Sequence, residues 1–296
     1  MLFRSAGGVI RGLGWAGFNT GGYTTLAAAA PQNRRGEAAG YYTSAATSAS
    51  VAFPALALWV IAGPGGFQAV FVISTLLALV ALPFAVSLAR NISAARQAAP
   101  TTDAPREKGF IERGVLIATG LNLCSAMIMP SVMAFLPLYA LSLGIENIGL
   151  FYILAGVTSV VVRPVLGKKS DAIGRGPAIA IGLACNLVGL TLIVLADGIG
   201  LILGGGFFVA VGMSMIGSTS TALAMDLANP RSRGRSMATF SVSYQIGNGA
   251  GAIISGALAD LLGLRAMYVG SVVITLAGFV LLAGAWKTLP RPHKAA

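Results

Sequence analysis

Large polar side chains recur at helical spacing inside long apolar stretches of this sequence, where hydrogen bonding to a bound ligand is the chemistry open to them. Asn19 and Tyr23 stand four residues apart, as do Tyr244 and Asn248, and residues at this spacing share one face of a helix. Because such groups are costly in apolar surroundings, each must bind a ligand or bond to a neighbouring helix, and the sequence leaves both alternatives open. The candidates are Asn19, Tyr23, Asn122, Tyr244, Gln245 and Asn248.

Chemistry that makes or breaks covalent bonds has little support in the sequence. The only histidine, His293, lies in the proline-rich tail, so no histidine can act as a base or a metal ligand inside an apolar segment. The glycine run 204–206 lies in an apolar stretch without a following Lys-Ser or Lys-Thr pair, which excludes a phosphate-binding loop. Cys124 and Cys185 lie in apolar runs, where neither a disulfide framework nor a metal site is expected. We therefore predict no enzyme activity, no cofactor and no metal ion.

The composition is that of a membrane protein. Of the 296 residues, 56% are hydrophobic and 10% are charged, whereas about 25% of a soluble domain is charged. The mean hydropathy is +0.81. The net charge of +11 would suit a nucleic-acid partner, but the chain has too little polar surface for one. A lipid bilayer is the expected surrounding, and no nucleic acid is expected.

Nine stretches reach the roughly 20 apolar residues that a helix needs to cross a bilayer. They lie near residues 6–30, 38–62, 67–89, 114–140, 148–167, 177–196, 199–228, 236–262 and 266–286. The first is rich in glycine, and small residues let helices approach closely in lipid, so we expect it to pack as an interior helix. The sequence thus predicts an all-α polytopic membrane protein with about nine transmembrane helices.

Basic residues indicate the orientation, because Lys and Arg collect in cytoplasmic loops. Of the 20 basic residues, all but Arg4, Arg11 and Arg265 fall on one side of the nine predicted spans. Acidic residues on the opposite side cancel those three charges, so the whole net charge lies on the basic side. We predict a multi-pass protein of a prokaryotic plasma (inner) membrane, with its N-terminus outside and its C-terminus in the cytoplasm.

A polar segment rich in proline, alanine, threonine and charge divides three predicted spans from six, and its composition is that of a flexible linker. The predicted organisation is a partial N-terminal half-bundle at 1–89, a cytoplasmic linker at 90–113 and a six-helix C-terminal half-bundle at 114–296. Similar segments around Pro31 and Pro230 indicate an internal repeat, as is typical of secondary transporters. The first copy lacks three spans of the second, so the chain is expected to begin three helices late.

A charged motif ends the fifth predicted span and carries Arg163, Gly167, Asp171, Gly174 and Arg175. Gly167 is expected to permit a tight exit from the helix. Asp171 is expected to face the N-terminus of a neighbouring helix, where the macrodipole favours a carboxylate, and Arg175 is expected to bridge to another acid. In order and spacing, these residues closely resemble the short cytoplasmic-loop signature of the major facilitator superfamily (MFS).

Other segments are similar to the same family. The glycines at 247–251, followed by residues 256–265, resemble its eleventh helix and the turn after it, and residues 90–113 resemble its central loop. Matched to the family's twelve helices, the chain covers the fourth through the twelfth. It departs from the efflux branch in the fifth helix, where Pro54 is kept but the surrounding glycines are replaced. That departure weakens the case for proton-coupled export.

The resemblance implies an MFS-like helical bundle and a permease that moves a small molecule by alternating access. Secondary active efflux of an amphipathic or organic compound is the first expectation, with a proton as the candidate coupling ion. Uptake of a small polar metabolite is one alternative, and a non-transporting truncated fragment is another. The resemblance also implies that the six polar candidates line, or lie beside, a substrate cavity between the two halves.

Charged residues near the basic side form a candidate cytoplasmic gate. Such a cluster either locks one conformation and breaks in the other, or is a static group of interfacial side chains, and the sequence leaves both alternatives open. The candidate gate residues are Arg163, Gly167, Asp171, Gly174, Arg175, Asp226, Arg233 and Arg235.

Overall fold

The computed structural model describes residues 2–61, 63, 65–97, 111–145, 148–229 and 232–290. Over these ranges the chain is almost entirely helical and contains no strand, which confirms the all-α prediction. Single 3-10 turns cover Gln32–Arg34, Arg113–Val115 and Trp286–Thr288. The α-helices are α1 (Leu2–Ala29), α2 (Arg35–Ile61), α3 (Gly66–Gln97), α4 (Leu116–Met133), α5 (Leu136–Ser142), α6 (Gly149–Ile173), α7 (Arg175–Val194), α8 (Ile199–Leu227), α9 (Arg233–Leu262) and α10 (Leu264–Ala285).

Six segments within the described ranges are long and apolar enough to cross a membrane, so the chain is a polytopic membrane protein. Helices α1, α2 and α9 have sufficient length, at 28, 27 and 30 residues, but glycine, serine and charged residues lower their hydropathy. The count of nine spans therefore stays a prediction. The six segments are Gly66–Ser87, Arg113–Met133, Gly149–Ile173, Arg175–Val194, Ile199–Leu227 and Leu264–Thr288.

The fourth predicted span, expected to be continuous over 114–140, is broken into α4 and α5. The break follows Pro130, which lies inside α4, and a second proline, Pro137, stands in the first turn of α5. Proline lacks a backbone N–H and disfavours helical geometry at the residue before it, so it is tolerated at a helix start and interrupts a helix interior. Two helices replace one long span for this reason.

The predicted linker begins later than the sequence suggested. Helix α3 continues to Gln97, so residues 90–97, which were assigned to the linker, extend the third span as helix. This segment contains no proline, and its alanines and arginines are strong helix formers. The rest of the predicted linker lies largely outside the described residues.

Packing divides the chain into two compact units, residues 1–44 with 108–296 and residues 45–107. In the first unit, the helices pack around two apolar clusters whose largest buried side chains include Tyr268, Phe151 and Phe240. The Tyr268 hydroxyl donates to the Ser131 carbonyl at 2.8 Å, which satisfies a polar group inside that core. In the second unit, every side chain from 71 to 87 is exposed. This apolar surface is typical of a helix that faces lipid.

The glycine-rich first helix differs from its predicted role as a packed interior helix. A Cβ atom added at Gly12, Gly14, Gly17 or Gly21 would meet nothing within 4 Å. Contact with α9 comes from the C-terminal half of α1, where the Thr20 and Ser241 hydroxyls lie 3.4 Å apart. Among the described residues no helix lies against these four glycines, so small side chains alone did not determine where α1 packs.

Candidate functional site

A carboxylate at the end of α6 caps the beginning of α2. The Asp171 oxygens accept hydrogen bonds from the backbone N–H groups of Gly36, at 2.8 Å, and Glu37, at 2.9 Å. Both donors lie in the first turn of α2, where backbone N–H groups lack helical partners and the helix dipole favours negative charge. The prediction that Asp171 faces a helix N-terminus is confirmed.

Arg175 follows Asp171 across a sharp turn between α6 and α7. Gly174 makes that turn with φ of +92°, a region that residues with a Cβ atom rarely adopt. The Arg175 guanidinium then donates to Asp171 at 2.7 Å and to Asp226, in the last turn of α8, at 2.8 Å. The prediction that Arg175 bridges to another acid is confirmed, and it joins three helix ends.

A second arginine completes this arrangement from α2. The Arg35 guanidinium donates to Asp226 at 3.0 Å and to the Met225 carbonyl at 2.9 Å. Only 9% of the Arg35 side chain and 17% of the Asp226 side chain are exposed, so water screens this pair weakly. We call Arg35, Asp171, Arg175 and Asp226 the ion network. Sequence reasoning missed Arg35, although it stands in the Arg-Gly step that both copies of the internal repeat share.

Glycines allow the backbones of α2 and α6 to cross in contact beside the ion network. A Cβ atom at Gly36 would collide with the Gly167 carbonyl, and one at Gly40 would come within 2.6 Å of the Arg163 carbonyl. Gly167 therefore does not serve as the expected helix exit, because α6 continues to Ile173. Its lack of a side chain permits the close crossing that brings Asp171 to the start of α2.

Arg235, expected near Asp226, forms a different ion pair. Its guanidinium contacts the Glu112 carboxylate at 2.6 Å, and the Ser232 hydroxyl donates to the same carboxylate at 2.9 Å. These two hydrogen bonds hold the pKa of Glu112 below its ordinary value. Arg233 is the first residue of α9. Arg235, two residues later, is the arginine whose side chain reaches Glu112. The pair ties the segment before α4 to α9.

Arg163 also lies apart from the ion network. It stands ten residues before the end of α6, about 15 Å along the helix axis. Its Nη1 donates to the Thr43 carbonyl at 3.0 Å, and its Nε donates to the Ser214 hydroxyl at 3.4 Å. The sequence placed Arg163 at a span end, whereas the structure places its side chain deeper, among α2, α6 and α8.

Two of the polar candidates form hydrogen bonds with other groups of the protein. The Asn122 amide donates to the Ser243 hydroxyl at 2.9 Å, which joins α4 to α9. The Asn19 amide donates to the Trp15 carbonyl at 3.0 Å, one turn earlier in α1. These contacts favour interhelical and intrahelical bonding over ligand binding for both residues.

Tyr23 lies in an aromatic group, and the α9 amides do not join it. The Tyr23 ring packs 5.3 Å from Tyr42 and 5.8 Å from Phe240, between ring centroids. Tyr42 precedes Thr43, whose carbonyl Arg163 bonds, and Tyr244 stands one turn after Phe240 on α9. Gln245 is exposed and Asn248 half-buried, and no hydrogen bond among the described side chains links either amide to this group. In the same ranges, no cluster of three His, Cys, Asp or Glu residues could hold a metal ion.

The sequence is similar to known membrane transporters. A family model for the Major Facilitator Superfamily matches residues 5–199 and, in a second match, residues 115–296. An uncharacterized MFS-type transporter of Methanocaldococcus jannaschii is 29% identical over 158 residues, which are 53% of this chain and 41% of that protein. The staphylopine export protein of Staphylococcus aureus is 24% identical over 190 residues, covering 62% and 47%. The chain thus spans less than half the length of these curated relatives.

A solved structure shows the same fold. The human organic anion transporter MFSD10 superposes on this chain with a TM-score of 0.65 at 16% sequence identity. The match covers 88% of this chain and 66% of that one. At this identity the likeness concerns the fold alone, and it supports the prediction of an MFS-like helical bundle.

Proposed function

This chain belongs to the Major Facilitator Superfamily, and from that premise we propose that it is a membrane permease that moves a small molecule by alternating access. In this mechanism two half-bundles rock about a central site, so that the site opens first to one side of the membrane and then to the other. The proposal needs contacts between the halves that are strong in one state and absent in the other.

The ion network is the observation that carries the proposal. It ties α2, in the predicted first half, to α6 and α8, in the predicted second half, through the Arg35–Asp226 ion pair and two backbone N–H bonds to Asp171. Arg175, at the start of α7, links these two acids to each other. Contacts of this kind break together when the helices separate, since each acid is shared by several donors. We propose that the network holds the transporter closed at its basic end, and that this end is cytoplasmic because of the basic loops.

Outward transport is the direction we propose. Its support is the similarity to a staphylopine export protein. A proton gradient is the candidate energy source to test. Net movement in the opposite sense would favour uptake of a polar metabolite, and absence of any movement would favour a non-transporting fragment.

A proteoliposome assay tests the proposal. The full chain is reconstituted with a pH gradient, and the accumulation of a panel of neutral, cationic and anionic amphipathic dyes is measured. Asp171→Asn and Asp226→Asn are expected to reduce gradient-driven accumulation at least tenfold. The first removes the charge that caps α2 and pairs with Arg175, and the second removes the carboxylate that pairs with Arg35 and Arg175. Asp197→Asn, at an exposed residue between α7 and α8, is the matched control and should retain activity. If no dye accumulates with the unaltered chain, the proposal is wrong.

A further inference from the structure

Among the described residues, Arg163 is a cation inside the helical bundle that has no carboxylate within ion-pair distance of its guanidinium. Its hydrogen bonds in these ranges go to the Thr43 carbonyl and the Ser214 hydroxyl. Guanidinium groups stay protonated in proteins, so the positive charge persists. A charge away from water is costly unless an opposite charge compensates it. The protein therefore maintains a site that is electrostatically incomplete.

The guanidinium retains donors for a ligand. It has five N–H donors, and the described hydrogen bonds use one on Nη1, to the Thr43 carbonyl, and the one on Nε, to the Ser214 hydroxyl. The Nε bond is long, at 3.4 Å. Nη2 takes part in neither bond. Among the described residues, one edge of the guanidinium thus keeps unused donors, and its bond to the α2 backbone fixes its orientation.

Aromatic side chains lie on the helix segments that surround this cation. Tyr23 packs edge to face against Phe240 and in a tilted arrangement against Tyr42, the residue before Thr43, whose carbonyl Arg163 bonds. Tyr244 stands one turn after Phe240 on α9, and 44% of it is exposed. Rings in this arrangement offer dispersion contacts to a flat apolar group while their hydroxyls accept or donate hydrogen bonds. The surroundings of Arg163 therefore suit a molecule with an apolar body as well as a charge.

We propose that Arg163, Tyr23 and Tyr244 form a binding site for an organic carboxylate with an aromatic body. The carboxylate pairs with the open edge of the guanidinium, whose planar donors match its two oxygens, and the ring rests against the tyrosines. This inference rests on the proposed function and specifies its substrate class. The site joins α1 and α2 to α6, α8 and α9, so a ligand there contacts both predicted halves.

The inference is tested by binding rather than by transport. The full chain is placed in phosphatidylcholine nanodiscs, and radiolabelled salicylate is the probe in a scintillation proximity assay. Unlabelled salicylate should displace the label at least tenfold more strongly than the neutral isostere salicylamide, because only the anion pairs with the guanidinium. This comparison uses the unaltered chain, so it does not depend on whether a variant folds.

Variants of the cation provide the second measurement. Arg163→Gln should weaken salicylate binding about tenfold or more, the loss expected for one charge-assisted hydrogen bond. Arg163→Lys keeps the charge but loses the planar fork, so its affinity should be intermediate. Arg34→Gln is the matched control, since the Arg34 side chain is 64% exposed and pairs with Glu37 outside the site. This control should bind like the unaltered chain.

Three results would overturn the inference: no saturable salicylate binding, equal displacement by salicylamide, or unchanged binding in Arg163→Gln. A loss of binding in nanodiscs that contain phosphatidylglycerol would also overturn it, since a lipid headgroup would then be the natural anion. Accumulation of neutral or cationic dyes in proteoliposomes would leave the proposed transport function intact in each case. Failure of the inference and failure of the function are therefore distinguishable.

Discussion

At the scale of single residues, the charges near the basic end divide into acids that are shared and a cation that is not. Asp226 accepts hydrogen bonds from both Arg35 and Arg175, and Asp171 accepts from Arg175 and two backbone groups. Arg163, on the same helix as Asp171, has only a carbonyl and a hydroxyl. Shared acids are suited to holding helices together, and an unpaired cation is suited to holding a ligand.

The turn between α6 and α7 gives a prediction for one residue. Gly174→Ala should lower the melting temperature of the purified protein, because φ of +92° costs a residue with a Cβ atom about 1–3 kcal/mol. The strain also displaces Arg175, which begins the next helix. Gly200→Ala, in a helix where an added Cβ meets nothing within 4 Å, should leave the melting temperature unchanged or higher. Equal melting temperatures for the two variants would contradict this explanation.

The Glu112 pair gives a prediction for pH dependence. Its hydrogen bond to Arg235 and that to Ser232 lower the Glu112 pKa in the folded protein, so folding favours the ionised acid. The contribution to stability is therefore fully present above the carboxyl's ordinary pKa and is lost as pH falls through the lowered value. The difference in melting temperature between the unaltered chain and Glu112→Gln should be greatest at neutral pH and should shrink below about pH 4. A difference that is constant from pH 7 to pH 3 would show that the charge is unimportant.

Sequence reasoning identified the residues whose role is local and misplaced those whose role depends on tertiary contacts. Asp171 and Arg175 stand in one short motif, so spacing alone placed them at adjoining helix ends. Arg35 is 191 residues from its partner Asp226, and no local pattern records that pairing. Arg163 was grouped with the nearest charges along the chain, whereas packing of α6 against α2 and α8 turns its side chain toward the Thr43 carbonyl and the Ser214 hydroxyl.

At the scale of elements, the crossing of α2 and α6 gives a further prediction. Gly36→Ala should separate the two helices, because the new Cβ would overlap the Gly167 carbonyl and come within 2.8 Å of the Arg175 guanidinium. The backbone N–H groups at the start of α2 would then lie beyond the reach of Asp171. We expect a melting temperature several degrees lower, as for other substitutions that overpack a close contact. Gly21→Ala, where an added Cβ meets nothing within 4 Å, is the control and should be neutral; a similar loss in both would reject the crossing as the cause.

Hydropathy predicted where the helices lie along the chain. It did not predict where each helix ends, because the ends depend on prolines and on backbone hydrogen bonding. Each predicted span coincides with helix in the structure, because about 20 apolar residues have few other stable arrangements in lipid. The fourth span is broken between Pro130 and Pro137, and the charged segment after residue 90 continues α3 as helix to Gln97. Hydropathy reports burial in lipid, whereas helix continuity depends on backbone hydrogen bonding.

At the scale of the whole molecule, the ion network and the Arg163 site share the same helices. Both involve α2, α6 and α8, with Arg163 about one turn from Gly167 toward the helix interior. A ligand that draws α6 toward its carboxylate would therefore act on the helix whose end holds Asp171. We propose that this shared support couples occupancy of the site to the strength of the network.

The claim that most needs a direct test is that the ion network keeps the basic end closed. Glu37 and Lys168 each follow one of the two glycines, Gly36 and Gly167, at which α2 and α6 cross in contact. Cysteines at positions 37 and 168 can therefore report the separation of the helices by their rate of oxidative cross-linking. The background carries Cys124→Ser and Cys185→Ser, which removes the native thiols. The backbone N–H of residue 37 still reaches Asp171 in this background, since only the side chain changes.

The measurement compares that cross-linking rate with and without Asp226→Asn in membranes. We predict rapid cross-linking when Asp226 is present and a rate at least several-fold lower in Asp226→Asn. Arg35 then loses its carboxylate partner on α8 and Arg175 retains its pair with Asp171 alone, which weakens the hold of α2 against α6 and α8. Asp197→Asn on the same background should cross-link as fast as the chain that keeps Asp226. Equal rates with and without the Asp226 charge would contradict the account, since α2 and α6 would then be held together independently of the network.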